Sequence, residues 1–514
     1  MKKILFSLFA AGLMLTSCNM DKDQPGTTLA SESVQSVEDV AQFRNNLYGQ
    51  IRTLTSGSYV VGTDMQTEYF VGLRGNGGRG STWTQSNINP STSEIVSPYS
   101  GCYGAIATCN FLLQKTNELI ASGTLTDEDM IYINRYLGET YFMRAYFYWY
   151  LFDHYCQAYT AENANKPALG LQLVTEYQPQ VPFSEYPGRS TLAQSASRIN
   201  EDLNEAYRLL SGYEQYDLSN VAPNAPYVSS YVVKALQARM ALLTRDWSTA
   251  ITKANEIISD GVYSLSSYNQ YAAIWTADQG TELMFVPFVD ASESSSVASN
   301  FDVFNYINAY PSRVNCVPTM NIVGLYDDIN DIRFNSFFNG LIMTVEAQTT
   351  AAFVFNKYPG NPELKTSSSE NYKNKPKPFR LSEIYLILAE ASYENNDPTT
   401  ANSALNAIRS RRIAGYRHQD LSGTELRDAI REERNKELVG EGFHLSDMRR
   451  WGLGFQRSPY YGQLTAGAVD VATLFNNADL QTIFQPNDYR YVWPIPRNQF
   501  ETCPAMAGQQ NPGY

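Results

Sequence analysis

The stretch that most limits what this chain can fold into is "EDMIYINRYLGETYFMRAYFYWYLFDHY", residues 128–155. Apolar residues recur in it at spacings of three and four, which predicts a helix. In its second half they run almost all the way round. A helix apolar on every face is buried on every face. The segment is therefore expected at the centre of a helical array. "VEDVAQFRNNLYGQIRTL" (37–54), "PYSGCYGAIATCNFLLQKTNEL" (98–119) and "STLAQSASRINEDLNEAYRLL" (190–210) carry the same period, the last with Ser190 as its expected N-cap.

Two later segments look alike. "ALQARMALLTRDWSTAITKANEII" (235–258) aligns with "LILAEASYENNDPTTANSALNAIRS" (386–410) at a constant offset of 151. Ala238 matches Ala389, Ala250 matches Ala401, Asn255 matches Asn406 and Ile257 matches Ile408. Small residues let two antiparallel helices pack closely, and the apolar positions seal the pair. This is the tetratricopeptide style of helix pair without its tight period. Residues 266–375 differ, mixing short apolar runs ("ELMFVPF", "AAFVF") with Ser/Asn-rich stretches. The expected fold is mainly α: a tetratricopeptide-like helix-pair scaffold with long loops and a few short strands. Loops that long are uncommon unless functional, and a helical scaffold offers them for recognition.

The N-terminus points to a compartment. "MKK" is followed by the apolar run Ile4 to Leu15 and by "LTSC" (15–18). A bilayer-spanning helix needs roughly 20 apolar residues, so this shorter run reads as a signal peptide over 1–17. Its ending resembles a bacterial lipobox, with Cys18 as the lipidated residue. Residues 18–36 read as that cysteine and a flexible tether, with a reach of roughly 23–25 Å. Residues 37–514 read as one globular unit, with an N-terminal part to about 265 and a C-terminal part from about 266. Loss of Lys2 and Lys3 would take the net charge from −13 to −15. Such acidity suits no nucleic-acid partner, because phosphate contacts need basic patches. Five further cysteines are scattered, with no C-x-x-C pair. Cys102 and Cys109 on one helix would lie about 10 Å apart, too far for a disulfide. Buried free thiols are expected.

Gly75, Gly77 and Gly80 match G-x-G-x-x-G after the apolar run "YFVGL" (69–73). A dinucleotide site needs a helix next, with its N-terminus on the pyrophosphate. The following "STWTQSNINPSTS" is polar, Pro-broken and without helical period. Nucleotide binding is excluded on that ground. A plain flexible loop and a ligand loop bearing Arg74, Arg79 and Trp83 remain as readings.

Catalytic motifs are missing. The three histidines form no H-E-x-x-H, and there is no G-x-S-x-G and no P-loop. "YDDINDIRF" (326–334) reads as a structural Asp/Arg turn, since it lacks the Gly and terminal Glu of a calcium loop. Glu383 and Glu390 would share a helix face about 10.5 Å apart, beyond the carboxylate spacings of glycoside hydrolysis. Glu433 and Glu437 sit among Arg427, Arg431, Arg434 and Lys436, which suits salt-bridged helix chemistry. No catalytic residue, metal or cofactor is assigned.

Three C-terminal blocks then stand out. "RLSEIYLILAEASYE" (380–394) with "LNAIRSRR" (405–412), "IREERNKELVGEGFHLSDMRRWG" (430–452) and "VWPIPRNQFETCPAMAGQQNPGY" (492–514) resemble, in order, signature blocks of the SusD/RagB family. The N-terminal half is looser, although "RAYFYWYL" and the helix pairs fit. Asp21 and Asp23 resemble the surface-export signal of Bacteroidetes lipoproteins. The resemblance implies a nutrient-binding outer-membrane lipoprotein that faces the cell exterior. It implies a hinged lid on a SusC-like TonB-dependent barrel, capturing oligosaccharides, or peptides in the RagB branch, without catalysis. A surface glycoside hydrolase and a purely architectural subunit are the rival readings.

The blocks themselves read as structural. Arg434, Glu437, Glu441, Asp447 and Arg450 are expected to form an ion network around Trp451, with His444 a departure from the family pattern. Trp149, Trp247, Trp451 and Trp493 read as structural too. For the ligand, the family uses an N-terminal loop and loops in mid-chain. Those regions hold Arg74, Asn76, Arg79 and Trp83, and then Trp275, Tyr306 and Tyr310. Trp275 also admits a core reading. A ring covering about 50–100 Å² of sugar would contribute roughly 1–2.5 kcal/mol.

Overall fold

A computed structural model describes residues 33–327, 329–345, 348–457, 475 and 477–514. Cys18 and the residues expected to form a leader and a tether, apart from 33–36, lie outside them.

The central helix is where the sequence puts it. Helix α4 (Asp127–Tyr155) follows α1 (Val37–Leu54), α2 (Ser58–Met65) and α3 (Ser93–Ala121). It opens with a capping box between Thr126 and Asp129, which satisfies two otherwise unpaired backbone donors. From Leu137 to Tyr155 every residue except Tyr141 is buried. Helices α1, α3 and α5 (Leu192–Tyr213) enclose it. At Gly138 an added Cβ would stand 2.9 Å from Leu210, so only glycine lets α5 approach this closely. Polar staples fix the register. Arg144 of α4 donates to both oxygens of Asp202 on α5, at 2.8 and 2.6 Å, and to Asn110 of α3 at 2.7 Å. The N-cap of α5 is Thr191, not Ser190. Thr191 has Gln194 three residues on and makes a reciprocal capping box, which Ser190 cannot.

The two look-alike segments form two helical hairpins. These are α6 (Ser230–Thr244) with α7 (Trp247–Ser259), and α8 (Leu381–Glu394) with α9 (Pro398–Arg412). Their turns superpose on the same offset. Arg245 and Asn396 take the left-handed conformation, at φ 60° and 58°. Asp246 and Asp397 then cap the second helix by accepting from the N–H of Thr249 and of Thr400, both at 3.1 Å. Ala238, Ala250, Ala389 and Ala401 are fully buried. Helix α7 packs on α8, so the hairpins stack in series. The offset fails at one pair: Asn406 is buried and bonds Gln419 and Tyr416, whereas Asn255 is exposed.

The stretch between the hairpins carries the expected short strands, and three further short strands lie outside it among the described residues. β1 (Phe70–Gly72) pairs with β3 (Cys316–Pro318), and β2 (Leu283–Phe285) with β6 (Phe379–Arg380). β4 (Phe338–Val345) and β5 (Gln348–Phe355) form a hairpin, and β7 (Phe455–Gln456) pairs with β8 (Ile483–Phe484). All four pairs are antiparallel. The Asp/Arg turn reading also holds. Asp331 caps the short helix Ile332–Phe337 and binds Arg333 at 2.8 Å. Cys102, Cys109, Cys156, Cys316 and Cys503 are buried free thiols. Burial pushes the Cys156 thiol up to about 11.

Helices α10 (Gly423–Leu438) and α11 (His444–Trp451) carry the charged block, and here the expectation needs correction. The charges divide into two clusters. Around Trp451, Arg450 binds Asp447 and Glu390, Arg434 binds Asp447, and the indole N–H donates to Glu390 at 2.8 Å. Glu437 and Glu441 belong elsewhere. Glu437 binds Arg333, Arg380 and Arg412 at 2.9–3.1 Å, and Glu441 binds Arg380 and Lys357. The reason is helical geometry. Glu433 and Glu437 are one turn apart on one face, while Arg434 is turned about 100° away toward α11. Burial brings Lys357 down to about 8 despite Glu441. His444 stacks on Tyr69 at 3.9 Å and bonds Glu68 at 2.9 Å. Burial opposes its charge, but Glu68, Asp64 and Asp447 together outweigh burial and raise its pKa.

Candidate functional site

The glycine loop leaves β1 at Gly72 and reaches a one-turn helix, Ser81–Thr84. That helix corrects the expectation that none follows. It is only four residues long, and β1 pairs antiparallel with β3, so the strand–turn–helix of a nucleotide fold is still missing. Gly75, Gly77, Gly78 and Gly80 have φ of 72°, 70°, 78° and 75°. Four left-handed residues so close together require glycine.

The resulting loop is pinned from inside and from a distant segment. Asn76 accepts from the Gly78 N–H at 2.8 Å and donates to the carbonyls of Arg79 and Asn315 at 3.1 and 2.9 Å. Arg79 donates through Nε to Asn315 Oδ1 at 3.1 Å and pairs with Asp302 at 3.2 Å. Its guanidinium lies 4.8 Å above the Tyr306 ring. Asn315 in turn donates to the Asp302 carbonyl at 2.9 Å. The Arg79 and Asp302 side chains are each 42% exposed. Tyr310 sets its ring edge-on to Phe301, which stacks on Tyr372 at 4.2 Å and 9°. Burial raises the pKa of Tyr310 and of Tyr372. The structure thus brings Arg74, Asn76, Arg79, Tyr306 and Tyr310 to one loop cluster, with Asp302, Asn315 and Tyr372.

Behind the loop lies a cavity of about 450 Å³, lined by Arg74, Asn76, the glycine backbone, Gln85 and Asp479. That volume is in the range of small-molecule sites. Arg74 donates to the Phe475 carbonyl at 3.1 Å, and Gln85 to Asp479 at 3.2 Å. Arg457, fully buried, holds the floor. It donates to the carbonyls of Met65 and Thr67 at 2.8 Å each, of Asp479 at 3.1 Å, and of Thr84. Burial brings its pKa down to about 10 despite the Asp479 carboxylate 4.0 Å away.

Trp83 and Trp275 do not present faces to a ligand, a correction to the expected platforms. Trp83 is 3% exposed. Its ring fills a socket made by Gly62, where an added Cβ would stand 2.7 Å from the indole, and packs on Trp493 at 5.6 Å. Trp275 is 1% exposed among Phe337 and Tyr358, with Lys357 over its ring at 4.4 Å. In each case the indole is the largest apolar surface of its short helix, and the core takes it. Asp302, Asn315, Tyr372, Gln85, Asp479 and Arg457 escaped the sequence reading. Only Tyr372, an aromatic inside the Ser/Asn-rich run "KTSSSENYKN", left a signal.

Two family profiles match the chain. Residues 342–514 match the profile of the SusD family, and residues 20–242 match one described as starch-binding associating with outer membrane. The chain belongs to the SusD family. Among curated SusD relatives, a SusD-like protein of Formosa agariphila is 22% identical over 505 residues, covering 88% of each chain. The starch-binding protein SusD of Bacteroides thetaiotaomicron is 21% identical over 488 residues, covering 84% of this chain and 80% of its own. A solved SusD superfamily structure from Bacteroides thetaiotaomicron has a TM-score of 0.75 at 25% identity and covers 93% of this chain and all of its own. A SusD-like carbohydrate binding protein from Bacteroides vulgatus has a TM-score of 0.73 at 22% identity, covering 93% and 98%. The fold is therefore the mainly α, SusD-like scaffold. Among the described residues, no helix is long and apolar enough to cross a membrane.

Proposed function

We propose that this SusD-family protein captures neutral oligosaccharides at the cluster formed by the 73–81 loop and residues 302–315. We further propose that it is anchored in the outer membrane through Cys18, faces the cell exterior, and hands its ligand to a SusC-like TonB-dependent barrel without cleaving it. The observation that carries the reading is Arg79. Its exposed guanidinium lies over Tyr306 between Asp302 and Asn315. Sugars offer apolar C–H faces and many hydroxyls. Aromatic rings suit the first, and oriented guanidinium, amide and carboxylate groups suit the second. The partners already hold Arg79 in place, so little side-chain freedom is lost on binding. The carboxylates that a hydrolase reading would use are occupied: Glu383 binds Arg239, Glu390 binds Arg450, Glu433 binds Arg333 and Arg409, and Glu437 binds three arginines.

The test is binding of a panel of oligosaccharides, with peptide controls, to the full chain purified in detergent. Arg79→Ala is expected to weaken the bound saccharide about tenfold. It should leave stability within about 0.5 kcal/mol, because the side chain is half exposed and its ion pair is at the surface. Unchanged affinity would remove this cluster from the account. Peptide-only binding would replace saccharide by peptide, and release of cleaved product would show an enzyme.

A further inference from the structure

A second groove lies elsewhere on the molecule and shares no lining residue with the cavity behind the glycine loop. Its volume is about 680 Å³. Helix α3 forms the floor, the irregular segment 172–186 one wall, and residues 499–503 another. The walls are tied down. Tyr103 of α3 donates to the Gln172 carbonyl at 3.0 Å, and Asn110 to the Val174 carbonyl at 2.8 Å. The floor is flat because Gly104 lies there: a Cβ at that position would meet nothing within 4 Å. A glycine in mid-helix costs about 0.5–1 kcal/mol relative to alanine, and here it leaves open space in the groove.

The lining has a specific chemistry. Phe183 is 68% exposed, and its ring lies 5.5 Å from that of Tyr186 at 30°. Phe183 is thus an apolar ring that folding leaves in water at the groove, tilted against the half-buried Tyr186. Tyr177 adds a third ring, held edge-on by Phe111 at 5.0 Å. Neutral polar side chains share the lining, among them Gln178, Gln180, Gln499 and Thr502. Among the described lining residues there is no lysine or arginine, and Glu176 is the one charge. A phosphorylated or acidic ligand would find no counter-charge. None of the labelled strands lines the groove, so a peptide would find no sheet edge to extend.

We propose that this groove is a second saccharide site, taking a neutral oligosaccharide whose rings stack on Phe183 and Tyr177 and whose hydroxyls meet the amides. It would hold a further stretch of a long glycan, or a second chain, independently of Arg79.

The probes are neutral hexasaccharides of glucose, mannose, xylose and galactose, with a polygalacturonate hexasaccharide as the acidic control. They are titrated into the full chain in detergent. Two variants report on the groove. Phe183→Ala removes an exposed ring. Gly104→Leu fills the empty space above the floor, and helix propensity favours the substitution, so folding is retained. Each is expected to weaken at least one neutral hexasaccharide about tenfold or more, in a binding component that Arg79→Ala leaves intact. The proposal is overturned if both variants leave every neutral isotherm unchanged. It is also overturned if only the acidic probe responds, or if no neutral probe binds the parent chain. Loss in the groove variants with no effect of Arg79→Ala would support this site and reject the first one. The opposite pattern would reject this site alone.

Discussion

Glu437→Ala is expected to lower the unfolding free energy by about 3–5 kcal/mol, measured by urea unfolding of the full chain. The carboxylate is fully buried and binds Arg333, Arg380 and Arg412, which are themselves at most 1% exposed. Glu282 shares two of those arginines, at 2.8 Å each. Removing Glu437 leaves three buried guanidinium groups with too little counter-charge and no water to replace it. The penalty comes from the stranded cations more than from the lost pairing. Burial alone would raise the Glu437 pKa, but Arg412, Arg380 and Arg333 outweigh it and hold the carboxyl well below its usual range. The sign follows. A carboxyl depressed in the fold adds stability above the ordinary carboxylate range and loses it as pH falls through the depressed value. The gap between parent and variant should therefore persist at neutral pH and narrow only in acid. Glu425→Ala, on the exposed first turn of the same helix, should stay within about 0.5 kcal/mol of the parent. Equal effects at the two positions would contradict this reading of the buried cluster.

Trp83→Ala is expected to cost about 3–5 kcal/mol, a folding defect rather than a binding defect. The ring occupies a socket that the backbone has been cleared to receive. Gly62 has no side chain because the indole stands there, and Trp493 closes the other side. Trp493 is itself anchored, donating to Gln66 at 2.9 Å. Deleting the indole leaves a void beneath the glycine loop, next to Thr84, whose carbonyl Arg457 holds. Gly62→Ala attacks the same socket from the other side. Its Cβ would meet the ring at 2.7–2.9 Å, and overpacking of this kind costs about 1–3 kcal/mol. Normal stability in both variants, with loss of saccharide binding in Trp83→Ala, would restore the indole as a ligand platform.

These two residues also mark what the sequence could reveal. The central helix, the flanking helices and the twin hairpins were legible because their signals are local. Period, capping residues and a constant offset of 151 are read within a few turns. The glycine loop was legible only in part: Gly75, Gly77 and Gly80 mark a loop, but its left-handed backbone and its pinning emerge in the structure. The partners of that loop were not legible. Arg79 meets Asn315 across 236 positions, and Arg457 reaches Thr67 across 390. No periodicity spans such distances. Trp83 looked like a platform because its neighbours in sequence are polar, while the residues that bury it, Gly62 and Trp493, are far away or silent. Glu437 was assigned to Trp451 because both lie in one signature block. Helical rotation sends neighbouring side chains to different clusters, and only the packed structure shows which.

The central claim is that the 73–81 loop and the 302–315 segment together receive a saccharide. Backbone hydrogen exchange of the full chain, with and without a saturating oligosaccharide identified in the binding panel, addresses both segments at once. Slower exchange is expected in residues 73–81 and 302–315 together on ligand addition. Arg79→Ala is expected to abolish this protection, while the buried hairpins stay unchanged. Saccharide bound at saturation with neither segment protected would contradict the claim.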